Sequence, residues 1–537
     1  MCGYYNYQLT IDKILSYGER TYPTREIVYR DKRKYSYRNF AQTARRLSAS
    51  LQKIGVKKGD RVAVIDWDTD VFLMSYYSIP MIGAVLHTVN IRYPPELILK
   101  TILHAEDKWI IIRDEFVPLL EKGKPFLSGI KGVITYSENK EKVKTSFSPS
   151  YDLWELTEEE NKLHEVNISE NDQATIFYTS GTTGEPKGVW FTHRDLVLHT
   201  MAVNLMSMKP PLSLKDSDVF MILVPMFHVH QWGYPYNFMM GGNKYVLPGR
   251  YDPAFNLKLL KEEGVTYSAM VPTILHMMIN HPEAKNYYDY FKRWKVVIGG
   301  SALPLGLAQT ARKLGITVLS GYGLSETAPV LTIGYYNSLI ENLNEEEKFL
   351  QQIKTGIPIP FVELRVIDQS GNDVPWDDRT IGEIVVRAPW LTREYYKDPE
   401  KTLKLWKDDW LHTGDLATVD KYGYLRIVDR EKDAIKSGGE FIPSLVLEDV
   451  ISTHPKVGEV AVVGMNDEKW GERPVAFIVP KEKVSEDELK EFLLRKVEEG
   501  KIQKWWIPDK FIFVSEFPKT STNKIDKKVL RDKLRQG

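Results

Sequence analysis

Between residues 57 and 302 the chain alternates short runs of β-branched and aromatic residues with amphipathic segments closed by glycine. That rhythm restricts the possible folds more than any other feature of the sequence. VAVID (62–66), AVLHTVN (84–90), KWIIIRD (108–114) and GVITY (132–136) read as strands, as do VFMILVP (219–225), VTYSAMVP (265–272) and KVVIGGS (295–301). Between them lie stretches such as PAFNLKLLKEEG (253–264), which carries apolar residues at helical spacing and ends on a glycine. Strand, helix and strand in succession imply parallel sheets covered by helices, with ligands at the carboxyl ends of the strands.

The pattern changes after Leu364. ELRVID, DQSGND, GEIVVRA and GYLRIVDR are strand-like runs joined by Gly/Asp turns, the signature of an antiparallel, β-rich subdomain. Past Arg430 the chain restarts as a small α+β unit. PSLVLEDVISTHP sets Leu447, Val450, Ile451 and His454 on one helical face, EVAVVGM follows as a strand, and VSEDELKEFLLRKVEEG opens with a capping box from Ser485 to Glu488. The expected organisation is therefore α/β: an N-terminal domain over residues 1–430, with its β-rich part at about 355–430, and a C-terminal domain over residues 431–537.

Several function classes fall away on composition. Lys+Arg 72 against Asp+Glu 72 gives no net charge, so nothing in the balance calls for nucleic acid or an anionic membrane. The one cysteine, Cys2, excludes an intrachain disulfide and leaves no thiolate zinc site. No stretch reaches about 18 uninterrupted apolar residues, so no transmembrane segment is expected. The opening MCGYYNYQLTIDK lacks a basic run followed by an apolar one, and the expected location is cytoplasmic.

The chemistry concentrates first in Tyr178-Thr-Ser-Gly-Thr-Thr-Gly-Glu-Pro-Lys-Gly188, between the strand-like ATIFY and a helical stretch beginning near His193. A run of Thr, Ser and Gly lets backbone N–H groups and hydroxyls converge on phosphate oxygens, and Lys187 adds a compact positive charge. The order Pro-Lys-Gly is not the Gly-Lys-Ser/Thr ending of the common P-loop.

At these residues the sequence resembles the adenylate-forming superfamily of acyl-CoA synthetases, luciferases and peptide-synthetase adenylation domains. The resemblance recurs in Val224-Pro-Met-Phe-His228, Gly321-Tyr-Gly-Leu-Ser-Glu-Thr327, His412-Thr-Gly-Asp415, Asp429-Arg-Glu-Lys-Asp-Ala-Ile-Lys436-Ser-Gly-Gly439 and Pro518-Lys-Thr-Ser-Thr-Asn-Lys524. One departure is Asn523, where the family usually has glycine; Asn tolerates positive φ better than most residues.

The resemblance, strongest to medium- and long-chain fatty acyl-CoA synthetases, implies an AMP-forming fatty acid–CoA ligase using ATP, Mg²⁺ and CoA, with a homodimer as the expected assembly. The alternatives are the same chemistry on a short, hydroxylated or aromatic acid, or a luciferase-like oxygenase. It implies that Thr179, Ser180, Gly181, Thr182, Thr183, Gly184 and Lys187 hold the departing phosphates, with Thr182 and Glu326 on Mg²⁺. Gly300, Gly321, Tyr322, Thr327, Asp415, Arg430, Lys432 and Lys436 would contact the nucleotide, Tyr322 facing adenine and Asp415 the ribose. Lys524 would bridge carboxylate and α-phosphate, His228 would act at the same centre, and Gly439 would give passage to the CoA arm. Lys432 would be the hinge of a mobile C-terminal domain.

Val229, Trp232, Gly323 and Leu324 would surround the acyl group. Trp232 resembles the gate of long-chain members, and glycine at 323, where acetyl-CoA synthetases have tryptophan, implies a deep pocket. His228 and His230 stand two apart, a spacing that puts both on one face of an extended segment, although no third ligand of suitable type follows nearby.

Overall fold

The computed structural model describes residues 7–180, 185–431, 433–438, 440–521 and 523–536, and places them in two compact units. The first takes in the chain up to Ser268 together with Gly323–Val330 and Ala388–Lys404; the second takes in Ala269–Tyr322, Leu331–Arg387 and the chain from Leu405 onward. The architecture is α/β with mainly parallel sheets and a small C-terminal α+β part, as the sequence pattern requires.

The first unit is built on a seven-stranded sheet in the order Ser150–Asp152, Gly132–Tyr136, Trp109–Arg113, Arg61–Ile65, Val85–Thr88, Gln173–Ser180 and Pro186–Thr192. All neighbours are parallel except the last pair, a hairpin with Tyr178 opposite Gly188. Ala63, Ile65, Ile110, Ile112 and Val133 from this sheet bury against Ile98, Ile102, Val117 and Leu120 from the helices Pro95–Ala105 and Val117–Gly123. Each of the Ile, Val and Leu side chains contributes about 1.5–3 kcal/mol on leaving water.

A second group of strands in the same unit runs Val219–Phe220, Lys244–Leu247, Glu26–Tyr29, Arg33–Ser36, parallel but for the last hairpin. Of the run VFMILVP only Val219–Phe220 is strand. The chain then leaves the ladder, and Met226 gives its N–H to the Asp68 carboxylate at 2.6 Å. After the Gly/Ser/Thr loop the helix His193–Ser207 begins at His193, as expected, with a strand before it, Pro186–Thr192, that the sequence pattern did not single out. The loop therefore joins a hairpin.

In the second unit Lys295–Ile298 and Thr317–Gly323 pair in parallel. Glu363–Ile367, Gly382–Arg387, Trp410–Val419 and Leu425–Arg430 form the expected antiparallel subdomain. The C-terminal part is a sheet of Glu440–Ile442, Ile435–Ser437, Gly471–Pro480, Val457–Asp467 and Lys510–Phe513. Its apolar face, with Val460, Val462, Ala476 and Ile478, packs on Leu447 and Ile451 of the helix Ser444–Ser452 and on Leu489 and Leu493 of the helix Glu486–Glu498.

The Ser485 capping box forms only by half. Ser485 Oγ accepts the Glu488 N–H at 3.2 Å, while the Glu488 carboxylate turns to Lys456 at 2.8 Å. Among the described residues no helix is long and apolar enough to cross a membrane.

Candidate active site

In the first unit the hairpin Gln173–Ser180/Pro186–Thr192 carries the Gly/Ser/Thr loop at its tip. Gly181, Thr182, Thr183 and Gly184 lie outside the described residues, as do Lys432 and Gly439. Around the base of the loop the structure gathers groups suited to phosphate and a hard cation. Ser325 Oγ stands 3.4 Å from Thr179 Oγ1. The next residue, Glu326, lies in the tight turn Ser325–Thr327, and its carboxylate accepts the Tyr395 hydroxyl at 2.5 Å. Lys187 reaches the same phenol, its Nζ 3.5 Å from the oxygen and 4.5 Å from the ring centroid. Burial and the Glu326 carboxylate push the Tyr395 pKa far up, so the phenol keeps its proton and is the donor. The Thr392 N–H closes on the Glu326 carbonyl at 2.9 Å. A sequence pattern would not have found Tyr395: it stands far from the loop in the chain and reaches it only through folding.

The turn holding Glu326 is stiffened from within. Thr327 is buried, and its hydroxyl accepts the Leu324 N–H at 2.9 Å and donates to the Pro329 carbonyl. After the turn, Val330 donates its N–H to His199 Nε2 at 3.1 Å, and the His199 ring meets Trp390 edge-on at 5.6 Å. Burial lowers the His199 pKa to about 3, so the ring is neutral and its Nε2 is free to accept.

Gly323 has a reason of its own to be glycine, because a Cβ there would fall 1.8 Å from the Pro329 carbonyl oxygen. Glycine at 323 thus answers to the backbone as well as to any acyl group.

The segment His228–Trp232 is not extended. Val229, His230, Gln231 and Trp232 have φ of 40°, 57°, 50° and 58°, a left-handed turn closed by Gly233. Left-handed backbone costs L-residues roughly 1–2 kcal/mol each, and burial holds it here. His230 is fully enclosed, edge-on to Phe177 at 5.1 Å and to Phe191 at 5.6 Å, and Gln231 accepts the Tyr245 hydroxyl at 2.5 Å. The expected shared face of His228 and His230 is corrected accordingly: His230 points into the aromatic core, its pKa lowered to about 3 by burial, while His228 is half-buried. Among the described residues no cluster of three or more His, Cys, Asp or Glu forms a metal site. Val229 and Trp232 are both buried and Leu324 is half-buried.

In the second unit Tyr322, Asp415 and Arg430 form one group. The Tyr322 hydroxyl donates to Asp415 Oδ2 at 2.7 Å, and Arg430 Nε lies 3.1 Å from Asp415 Oδ1. Burial and the adjacent carboxylate hold the Tyr322 phenol well above its usual pKa, so it too stays a donor. A carboxylate such as that of Asp415 has two oxygens with about four acceptor positions.

Glu383, which the sequence did not single out, braces this loop. Its Oε2 is 2.8 Å from His412 Nδ1, and its Oε1 accepts the Gly414 N–H at 3.1 Å. Gly321 sits close on Val297, at 3.2 Å for an added Cβ.

Lys524 lies in a turn in which Thr520 donates its N–H to the Lys524 carbonyl at 2.8 Å, and Asn523 takes φ of 62°, as that turn demands. The lysine side chain runs along Gly300: a Cβ on Gly300 would be 3.0 Å from Lys524 Cε and 3.4 Å from Nζ. Lys436 is elsewhere, exposed on the strand Ile435–Ser437, its N–H held by Glu472 at 2.9 Å and its Nζ 5.5 Å from the Phe441 ring centroid.

The family model described as AMP-binding enzyme matches residues 17–396, and that of the AMP-binding enzyme C-terminal domain matches residues 446–524. The long-chain-fatty-acid–CoA ligase of Thermus thermophilus is 40% identical over 503 residues, 93% of this chain and 90% of that protein. The medium-chain-fatty-acid–CoA ligase of Ectopseudomonas oleovorans is 34% identical over 537 residues, covering 98% of this chain and 96% of its own. Among solved structures, that of an anthranilate CoA ligase in complex with anthranoyl-AMP shares the fold, with a TM-score of 0.85, 23% identity, and coverage of 99% of this chain and 98% of that one.

Proposed function

Because the chain belongs to the AMP-binding enzyme family, we propose that it is an AMP-forming acid–CoA ligase whose acid is a medium- or long-chain fatty acid. In the first half-reaction the carboxylate attacks the α-phosphorus of ATP, forming acyl-adenylate and releasing diphosphate. In the second, the CoA thiol attacks the acyl carbon, forming the thioester and releasing AMP. The relatives at 40% and 34% identity over nearly the whole chain support the substrate class. The observation that carries the reaction type is Lys524, held against Gly300 by a turn of the C-terminal part.

Each residue has a task that its surroundings suit. Thr179, Lys187 and the loop 180–184 receive the departing phosphates. The Tyr395 hydroxyl, shared between Glu326 and Lys187, fixes the carboxylate and the ammonium relative to each other. Asp415, aligned by Tyr322 and Arg430, accepts the ribose hydroxyls, and the Tyr322 ring, tethered at its oxygen, offers a face to adenine. Lys524 supplies the positive charge where carboxylate and α-phosphate crowd together, a contact strongest in the transition state.

One carboxylate, with phosphate oxygens and water, is the donor set that Mg²⁺ takes. Glu326 and Thr182 would hold the ion, which neutralises phosphate charge. Residues 431–537 act as a lid turning about Lys432, with Lys436 serving the second half-reaction and Gly439 leaving space for the CoA arm. His228 borders the reacting carboxylate, and Val229, Trp232, Gly323 and Leu324 border the acyl chain.

A panel of C2 to C18 straight-chain, hydroxylated and aromatic acids, scored for thioester with ATP and CoA, tests the proposal. Preference for octanoate and longer acids supports it. Preference for acetate, 4-hydroxybutyrate or an aromatic acid would reassign the substrate, and ADP in place of AMP would refute the reaction.

A further inference from the structure

The helix Leu305–Lys313 begins on Pro304, which gives it no side-chain cap. The first amides of any helix lack partners within it. Here they find them far along the chain. The Gly306 N–H donates to Ser452 Oγ at 3.2 Å, across 146 residues, and the Ser452 hydroxyl donates onward to the Asp449 carbonyl at 2.7 Å. The Leu305 N–H acts on the Asp449 carboxylate, which also pairs with Arg426 at 3.4 Å.

The fit is tight, for a Cβ on Gly306 would lie 2.2 Å from the Ser452 carbonyl oxygen. A second contact repeats the pattern. Lys519 Nζ, bound to Glu459 at 2.9 Å, reaches Thr273 Oγ1 at 3.4 Å, and His276 lies 3.9 Å from Glu459. Each of these bridges joins residues before 430 to residues after 440, and Lys524 follows Lys519 by one short turn.

We infer that the helix Ser444–Ser452 caps the helix Leu305–Lys313 in trans, and that this cap seats the C-terminal part where Lys524 meets Gly300. Gly306, Asp449 and Ser452 are then positioning residues for adenylation alone. The inference rests on the two-step reading above, because a lid that turns away for thioester formation gives up the cap. Glycine at 306 serves close approach, and it does so at a helix position where alanine would be the better helix former.

The test is Gly306→Ala, which improves helix propensity while pushing the carbonyl of Ser452 away. Acid-dependent ATP–diphosphate exchange should fall by roughly 10²-fold, the scale of a misplaced reacting group. Conversion of supplied acyl-adenylate and CoA to thioester should stay at the wild-type rate. Ser452→Ala and Asp449→Asn should show the same split more weakly. Equal loss in both half-reactions, or loss in neither, overturns the inference. Hydrogen exchange of the peptides spanning 303–310 and 444–455 reads the seating without any substrate. Protection should drop in Gly306→Ala, and unchanged protection overturns the inference whatever the wild-type activity proves to be. Wild-type protein lacking acid-dependent exchange would refute the ligase reading instead.

Discussion

Glu326, Tyr395, Lys187 and Thr179 in the first unit are tied together by a hairpin, a tight turn and a buried phenol. Lys524 in the second unit depends on something weaker. Its turn hangs from the C-terminal sheet, and a few side-chain bridges at Gly306, Thr273 and His276 bring it to Gly300. Phosphate-holding groups that serve throughout a cycle can be built into a sheet. On the proposed two-step reading, a charge needed in one step and unwanted in the next is carried on a part whose polar bridges can exchange for water at small net cost. Beside those bridges runs an apolar seam in which Leu416 and Val428 join Ile442 and Leu447.

Lys524→Ala should break the comparison most sharply. Acid-dependent exchange between ATP and diphosphate should drop by about 10²-fold or more, the scale of a lost preorganised charge contact. Thioester formation from supplied acyl-adenylate should persist; equal loss of both steps would make Lys524 structural. Gly323→Ala asks whether the first unit is as rigid as described. With the Pro329 carbonyl 1.8 Å from the new Cβ, unfolding stability should fall by about 1–3 kcal/mol, as overpacking does. Activity should drop alike for all acids in a chain-length panel. An altered chain-length profile at unchanged stability would return the glycine to the acyl pocket alone.

Acid stability probes the same unit through His199. Its pKa is about 3 when folded against 6.5 for the free side chain, so the unfolded state binds the proton more readily. The stability it contributes is complete above pH 6.5 and is lost as pH falls toward 3, at about 1.4 kcal/mol per pH unit. Denaturant midpoints measured from pH 7 to 5 should fall less in His199→Gln than in wild type; parallel slopes would remove His199 from the account.

The smallest effect is expected from Tyr395→Phe. It keeps the ring under Lys187 but removes the hydrogen bond to Glu326, worth about 1.5–3 kcal/mol when one partner is charged and less here because the carboxylate can rehydrate. A several-fold rise in KM for ATP, with thioester formation from acyl-adenylate untouched, is the expected reading. No change in KM would mean that the phenol does not position the carboxylate.

Much of this site was legible in residue order. Thr179, Tyr322, Glu326, Asp415 and Lys524 are chemical types in ordered motifs, while 181–184 lie outside the described residues, and the turn at Asn523 followed from the tolerance of asparagine for positive φ. Strand–helix alternation gave the layered fold, because period and glycine stops are local properties. What escaped was non-local or strained. Tyr395, Glu383, His199 and Gly306 act across long separations that no spacing encodes. The left-handed turn at 229–232 looked like an alternating strand because its cause, the aromatic cage around His230, assembles only in three dimensions. Only two residues of VFMILVP joined a ladder, and the Met226 amide just beyond the run goes to Asp68.

Exchange of labelled diphosphate into ATP, measured without CoA and with dodecanoate present or absent, tests the central claim most directly. Exchange should require the acid and need no thiol, because on the proposed reaction the acyl-adenylate forms before CoA takes part. Exchange that proceeds without acid, or that appears only once CoA is added, would contradict it.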